Sequence, residues 1–216
     1  MGTEIPKQYL PLAGRTVIEH TLARLCSHPD LTGVVVTLAA GDEYWSHLRM
    51  NLPIPIYPVA GGSERVHSVQ AGLFYLETLA APDDWILVHD AARPCLRPVD
   101  LQRLVAALVD HPVGGLLALP ISDTVKRANT KGEVLETVPR QELWRALTPQ
   151  MFRLKHLCAA ITMAITQGWT PTDESAAMEM EGYRPLMVAG HADNIKITHY
   201  QDLKLAELFL SQKFLK

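Results

Sequence analysis

An α/β fold around a mostly parallel sheet is predicted by three features of the chain. Strand-like apolar runs alternate with segments of helical period along most of its length. The runs Gly33 to Ala39, Trp85 to His89 and Gly115 to Ile121 are almost continuously apolar, as strands buried on both faces are. Charged or glycine-rich stretches stand where such strands end, the side on which open α/β sheets hold their ligands. The 216 residues suit one domain over 1–216, and 48% hydrophobic with 20% charged residues excludes disorder as the main state.

Each element follows from its own pattern. Thr16 to Cys26 sets Val17, Ile18, Leu22 and Leu25 on one stripe behind Thr16 as a cap, which predicts a helix. Gly33 to Ala39 is a buried strand, Asp42 to Met50 a short helix, and Ile54 to Val59 a strand that Pro55 and Pro58 assign to an edge. Glu64 to Leu79 turns Val66, Val69, Leu73 and Leu76 toward one core and reads as a helix. Trp85 to His89 is the next strand, and the loop Asp90 to Arg97 leaves it directly. Pro98 to Val109 is helical with Pro98 in its first turn, and Gly115 to Ile121 is a strand. Asp123 to Ala128 and Glu133 to Val138 alternate polar and apolar around Asn129 to Gly132, which predicts an exposed hairpin standing out as an arm. Helices over Arg153 to Gln167 and Asp173 to Glu181, strands over Leu186 to Ala189 and Ile195 to Thr198, and a helix from Gln201 onward complete the chain. Its opening, Met1 to Pro6, reads as loop where such a sheet ordinarily opens with a central strand.

Charge and composition narrow the function. Lys+Arg 20 against Asp+Glu 23 leaves a formal charge of −3, so no global basic field exists to hold nucleic acid or an anionic membrane. Any anion site must be local. Cys26, Cys95 and Cys158 are odd in number and widely spaced, which fits neither a disulfide framework nor a metal knuckle and suits a reducing cytoplasm. No apolar window is long enough to span a bilayer, and no signal segment opens the chain, so a soluble, unprocessed protein is expected. GxSxG, HExxH and GxxxxGKS/T are absent, and with them the central features of hydrolases, zincins and P-loop enzymes. His89, His191 and His199 lack ligand-like partners and read as structural.

Four stretches hold the candidate chemistry. Lys7, in Pro6 to Leu10, offers a flexible ammonium to a phosphate; a solvated loop lysine is the plain alternative. Gly61-Gly62-Ser63-Glu64-Arg65, leading into a helix through Ser68, lets backbone approach a ligand at a helix N-terminus, though a simple strand-to-helix turn has the same form. His89-Asp90-Ala91-Ala92-Arg93-Pro94 leaves room between Asp90 and Arg93 for a ligand, with the arginine steadying the carboxylate against a metal or sugar hydroxyl. Asp193 to Thr198 points Asn194 and Lys196 to one side, as an exposed edge strand also would.

The motifs PKQYLPLAG, GGSERVHSV, VHDAARP, SDTVKR, LWRALTPQ, TDESAAME and ADNIKIT, in this order from Ile5 to the last helix, resemble those of the 2-C-methyl-D-erythritol 4-phosphate cytidylyltransferase family of the non-mevalonate isoprenoid pathway. GGxxR alone is weak; VHDAARP with TPQ and DNIK in sequence is specific. The resemblance implies a Rossmann-like nucleotidyltransferase sheet, mostly parallel, with a β-hairpin arm over about 122–146 that embraces a second subunit to make a homodimer. It implies that CTP and the acceptor phosphate combine with release of pyrophosphate. Lys7 would meet the triphosphate, Lys196 and Arg140 would position the attacking phosphate, and Thr124 and Thr148 would add hydroxyl contacts to it. Asp90 and Arg93 would hold ribose or erythritol hydroxyls, Gly61, Gly62 and Ser68 would read cytosine, and magnesium (Mg2+), held mainly by the CTP phosphates, would balance charge. The family's N-terminal strand and glycine-rich loop ending in Arg-Met have no counterpart ahead of Met1-Gly2, so a functional polypeptide extending upstream by that strand and loop is expected. Two other readings remain: a cytidylyltransferase for another polyol phosphate such as ribitol 5-phosphate, and a non-catalytic dimeric remnant.

Overall fold

The computed structural model describes residues 5–211. A three-residue turn, Lys7–Tyr9, leads into a two-residue hairpin of β1 (Pro11–Leu12) and β2 (Arg15–Thr16), short pieces that carry no periodic signal. α1 (Val17–Leu25) begins as anticipated: Thr16 Oγ1 accepts from the Glu19 N–H while Glu19 reaches back to the Thr16 N–H, a complete capping box. Then come β3 (Val34–Leu38), β4 (Ile56–Ala60), α2 (Arg65–Leu76), β5 (Trp85–Val88), α3 (Pro98–Leu108) and β6 (Gly114–Pro120). The hairpin is β7 (Val125–Ala128) with β8 (Val134–Val138), followed by β9 (Trp144–Arg153), α4 (Leu154–Thr166), α5 (Glu174–Met180), β10 (Leu186–Ala189) and α6 (Tyr200–Ser211).

The principal sheet has the order β10-β6-β9-β5, and β3 with β4 forms a separate parallel pair. Among the described residues β4 pairs with β3 alone, the edge position its prolines predicted. β10 runs parallel to β6, but β9 is antiparallel to both β5 and β6. The sheet is therefore mixed, which corrects the mostly parallel expectation. β9 itself escapes the sequence pattern because Pro149 and the polar Thr148 and Gln150 interrupt it. The proline is tolerated because the β6 ladder breaks between Leu116 and Ala118, opposite this stretch, and the β5 ladder ends at Gln150.

Two further expectations fail. Asp42 to Met50 is not a helix: Asp42 Oδ1 accepts from the N–H groups of Tyr44 and Trp45, and only the turn Trp45–His47 forms. Ile195 to Thr198 is not a strand, because its backbone is tied to the loop after β5: the Ile197 N–H donates to Ala92 O at 2.8 Å.

Alternation along β9 builds the core on both faces of the sheet. Phe152 joins Val66, Leu73, Ile86 and Ile161 under α2, α4 and α5, while Met151 joins Leu101, Leu104, Leu108 and Leu117 under α3. α6 closes a third cluster, Leu10, Val17, Cys95, Ile197 and Leu203, which holds the N-terminal turn and the 195–198 segment to the body. The facing edges of β3 and β5 pair with no strand among the described residues, and a cavity of about 270 Å³ lies between them.

Candidate functional site

β5 ends at Val88, and Asp90 stands two residues beyond it. Its Oδ2 is 2.9 Å from Lys196 Nζ and 3.5 Å from Arg93 Nε; its Oδ1 faces Arg65 Nε at 3.6 Å. Burial alone would push this carboxyl up, but the Lys196 hydrogen bond and the charges of Lys196, Arg65 and Arg93 hold it below the ordinary carboxylate value. Lys7 shares the same field. Its turn is anchored by the buried Tyr9, whose hydroxyl donates to Asp42 at 2.8 Å, and burial followed by repulsion from Lys196 pulls its ammonium below the ordinary lysine value against the attraction of Asp90.

The backbone around this cluster is laced rather than laddered. Arg93 Nη1 donates to Asn194 O at 2.7 Å, and Asn194 Nδ2 donates to Thr148 O at 2.8 Å. Asp193 is fixed by an ion pair to Arg97 at the start of α3. Lys196 is thus delivered to Asp90 by a segment bound to β9 and to the loop after β5. Thr148 is only 4% exposed; its hydroxyl accepts from the Asp90 N–H at 3.1 Å and hydrogen-bonds His89 Nδ1 at 2.8 Å. Desolvation drives the His89 imidazole down to about 4, so it is neutral at physiological pH. Thr148 accordingly braces the backbone under Asp90.

Gly61 and Gly62 form the turn between β4 and α2. A Cβ on Gly62 would stand 2.3 Å from His67 Cβ, so a side chain there is excluded, and one on Gly61 would press on Ser68 Oγ at 2.8 Å and Leu38 O at 3.1 Å. The Gly62 N–H donates to Ser68 Oγ at 3.1 Å, closing the turn. Ser68, Arg65 and Asp90 all line the 270 Å³ cavity. Thr124 and Arg140 lie apart: both are exposed near the hairpin, Arg140 hydrogen-bonds Ser122 O, and among the described residues no hydrogen bond or ion pair joins either to the Asp90 cluster.

The pair Arg65–Glu174 was invisible to spacing because its members are 109 positions apart. A glutamate opening a helix behind an N-capping Asp173 reads as solvated, yet Glu174 is fully buried. The assembled site presents Lys7, Lys196 and Arg93 around one carboxylate beside a helix N-terminus. Such an arrangement binds polyanions and stabilises phosphoryl charge, and the His89 nitrogens are engaged by Thr148 and Arg93 O.

The family profile described as IspD: 2-C-methyl-D-erythritol 4-phosphate cytidylyltransferase matches residues 1–212. A protein of that name from Hahella chejuensis (strain KCTC 2396) is 50% identical over 210 residues, covering 97% of this chain and 87% of the relative. A solved structure titled as a 4-diphosphocytidyl-2C-methyl-D-erythritol synthase superposes with a TM-score of 0.86 at 38% identity over 95% of both chains. That of the Francisella tularensis 2-C-methyl-D-erythritol 4-phosphate cytidylyltransferase superposes with 0.85 at 34% identity over 95% of this chain and 94% of the other.

Proposed function

This chain belongs to the 2-C-methyl-D-erythritol 4-phosphate cytidylyltransferase family, and from that premise we propose how its residues divide the work of the reaction. The enzyme transfers a cytidylyl group from CTP to 2-C-methyl-D-erythritol 4-phosphate, giving 4-diphosphocytidyl-2-C-methyl-D-erythritol and pyrophosphate. An oxygen of the acceptor phosphate attacks the α-phosphorus of CTP; the new P–O–P link forms as the α–β bond breaks, and pyrophosphate leaves with the electron pair. The nucleophile is already ionised, so no general base is needed. The burden is to bring two polyanions together and to stabilise the charge between them.

The clustering of Lys7 and Lys196 about Asp90 at the end of β5 is the observation that supports this reading. Lys7 stabilises the triphosphate and the transition state, and Lys196 positions the attacking phosphate. Asp90 and Arg93 hold sugar hydroxyls, and the Gly61-Gly62 turn with Ser68 faces the cytosine. Thr148 acts through the Asp90 backbone. Lys196, Arg65 and Arg93 already engage the Asp90 carboxylate, which suits a magnesium ion brought by the nucleotide phosphates, whose charge it would neutralise. The hairpin exposes Val134 and Leu135 at 61% and 62%, apolar surface suited to a second copy of the chain, with Thr124 and Arg140 at its base serving that copy's site in a homodimer. No helix among the described residues is long and apolar enough to cross a membrane, and Cys26, Cys95 and Cys158 are free and buried; both suit a cytoplasmic enzyme.

The test is pyrophosphate release from CTP with a panel of acceptors. Methylerythritol phosphate should be turned over best; preference for ribitol 5-phosphate would reassign the acceptor, and no release with any acceptor would leave only a binding protein.

A further inference from the structure

The reaction as described uses neither Arg65 nor Glu174. Glu174 lies in the first turn of α5 with no exposed surface, and a carboxylate there is strongly destabilised unless paired. Arg65 supplies the pair: Nη1 donates to Oε1 at 2.7 Å and Nη2 to Oε2 at 3.0 Å, the two-pronged geometry in which a guanidinium has least freedom. This fork uses one edge of the guanidinium and leaves Nε, 3.6 Å from Asp90 Oδ1. Arg65 therefore bridges two carboxylates, one structural and one in the site.

Both ends of the bridge trace back to β9. Gln150 accepts from the Ser175 N–H at 2.7 Å and donates to Asp173 at 2.9 Å, which seats the start of α5 and so Glu174. Two residues earlier on β9, Thr148 accepts from the Asp90 N–H. Asp90 needs such support because Oδ2 faces a cation on a flexible stem. When Lys196 turns toward an incoming phosphate, a carboxylate bound only to it would follow or reorient.

We propose that Arg65 is a positioning residue for cytidylyl transfer: locked by Glu174, it holds Asp90 Oδ1 in place and leaves Oδ2 to Lys196, Arg93 and the substrate. The proposal rests on the reading that Asp90 serves the substrates. The charged and titratable groups facing Asp90 are Arg65 on α2, His89 and Arg93 on its own loop, Lys196 after β10, and Lys7 on the N-terminal turn. Arg65 is one of the cations that keep Asp90 ionised, so removing it raises the pH at which Asp90 takes up a proton.

Steady-state kinetics with CTP and methylerythritol phosphate test this in three variants of the whole protein, each shown by circular dichroism to be folded at the assay temperature. Arg65→Lys keeps the charge but cannot fork Glu174 while reaching Asp90. It should lower kcat/KM by about 10- to 100-fold, the scale of an ångström-sized misplacement in a site. In Arg65→Gln the Asp90 carboxyl, followed by carbon-13 NMR, should also titrate at higher pH. Wild-type kinetics in both variants with an unmoved Asp90 midpoint in Arg65→Gln overturn the proposal. Loss of activity in Arg65→Gln with an unmoved Asp90 midpoint also overturns it, by assigning Arg65 to the packing of α2 on α5. Should Arg65→Gln fail to fold, Arg65→Lys decides, since its side-chain site is 37% exposed and retains a cation. Asp90→Asn separates the two levels: impaired Asp90→Asn with normal Arg65 variants removes only the positioning role, whereas normal Asp90→Asn removes the reading beneath it.

Discussion

Lys7 and Lys196 approach one carboxylate from opposite ends of the chain, and each changes what the other can do. Lys7→Ala and Lys196→Ala should each cost about 10²-fold or more in turnover, the scale of losing one preorganised contact to transition-state charge. Circular dichroism should show both variants folded, since Lys7 is half-buried at a turn and Lys196 is 37% exposed. Near-normal turnover in both would remove their assignment. The protonation of Lys7 supplies a second readout. Burial and Lys196 lower its affinity for a proton, so the charge it offers to phosphate is lost as pH rises through a value below that of a free lysine, about 10.4. Removing Lys196 removes one of those lowering influences. The Lys7 midpoint, followed by NMR of a reductively methylated sample, should therefore rise in Lys196→Ala; a midpoint that stays or falls contradicts the shared field.

At the scale of elements, the gap between β3 and β5 is the principal irregularity. Among the described residues β6 is paired on both sides by β9 and β10, and β9 by β5 and β6, but β3 has only β4 and β5 only β9. The free edges line the 270 Å³ cavity with Val34, Val36, Leu87 and Val88. Among the described residues alternate amides of Val34–Leu38 and Trp85–Val88 have no ladder partner on this side, and an unmade backbone hydrogen bond weakens protection by about 1 kcal/mol. Hydrogen exchange at those amides should be about tenfold faster or more than in β6 and β9. Uniform protection across the four strands would show the gap closed in solution. The sequence anticipated β5, α3 and β10 closely because each is a plain apolar or amphipathic run. It did not anticipate β9, where a proline and two polar residues sit inside a strand whose ladder is locally broken.

For the whole molecule, the homodimer proposed through the hairpin makes one sharp demand. If Arg140 serves the partner's site, protomers disabled by Arg140→Ala and protomers disabled by Lys7→Ala should complement each other when mixed, since some hybrid dimers hold one intact site. Recovered turnover after subunit exchange, verified by native mass spectrometry of tagged chains, is the expected result; no recovery despite exchange excludes a shared site. What the sequence determined by itself was local and ordered: the alternation of strands and helices, the Thr16 cap, the hairpin between Asp123 and Val138, and the ordered motifs that place Lys7, Asp90, Arg93 and Lys196 in one family. These are read from neighbours along the chain, where hydrophobic period and turn chemistry act. Tertiary structure alone decided the antiparallel place of β9, the loop form of 195–198 and the bridge from Glu174 through Arg65 to Asp90. Each depends on groups far apart in sequence meeting in a buried, poorly solvated space, where an ion pair or a broken ladder is favoured only by the surroundings the completed fold supplies.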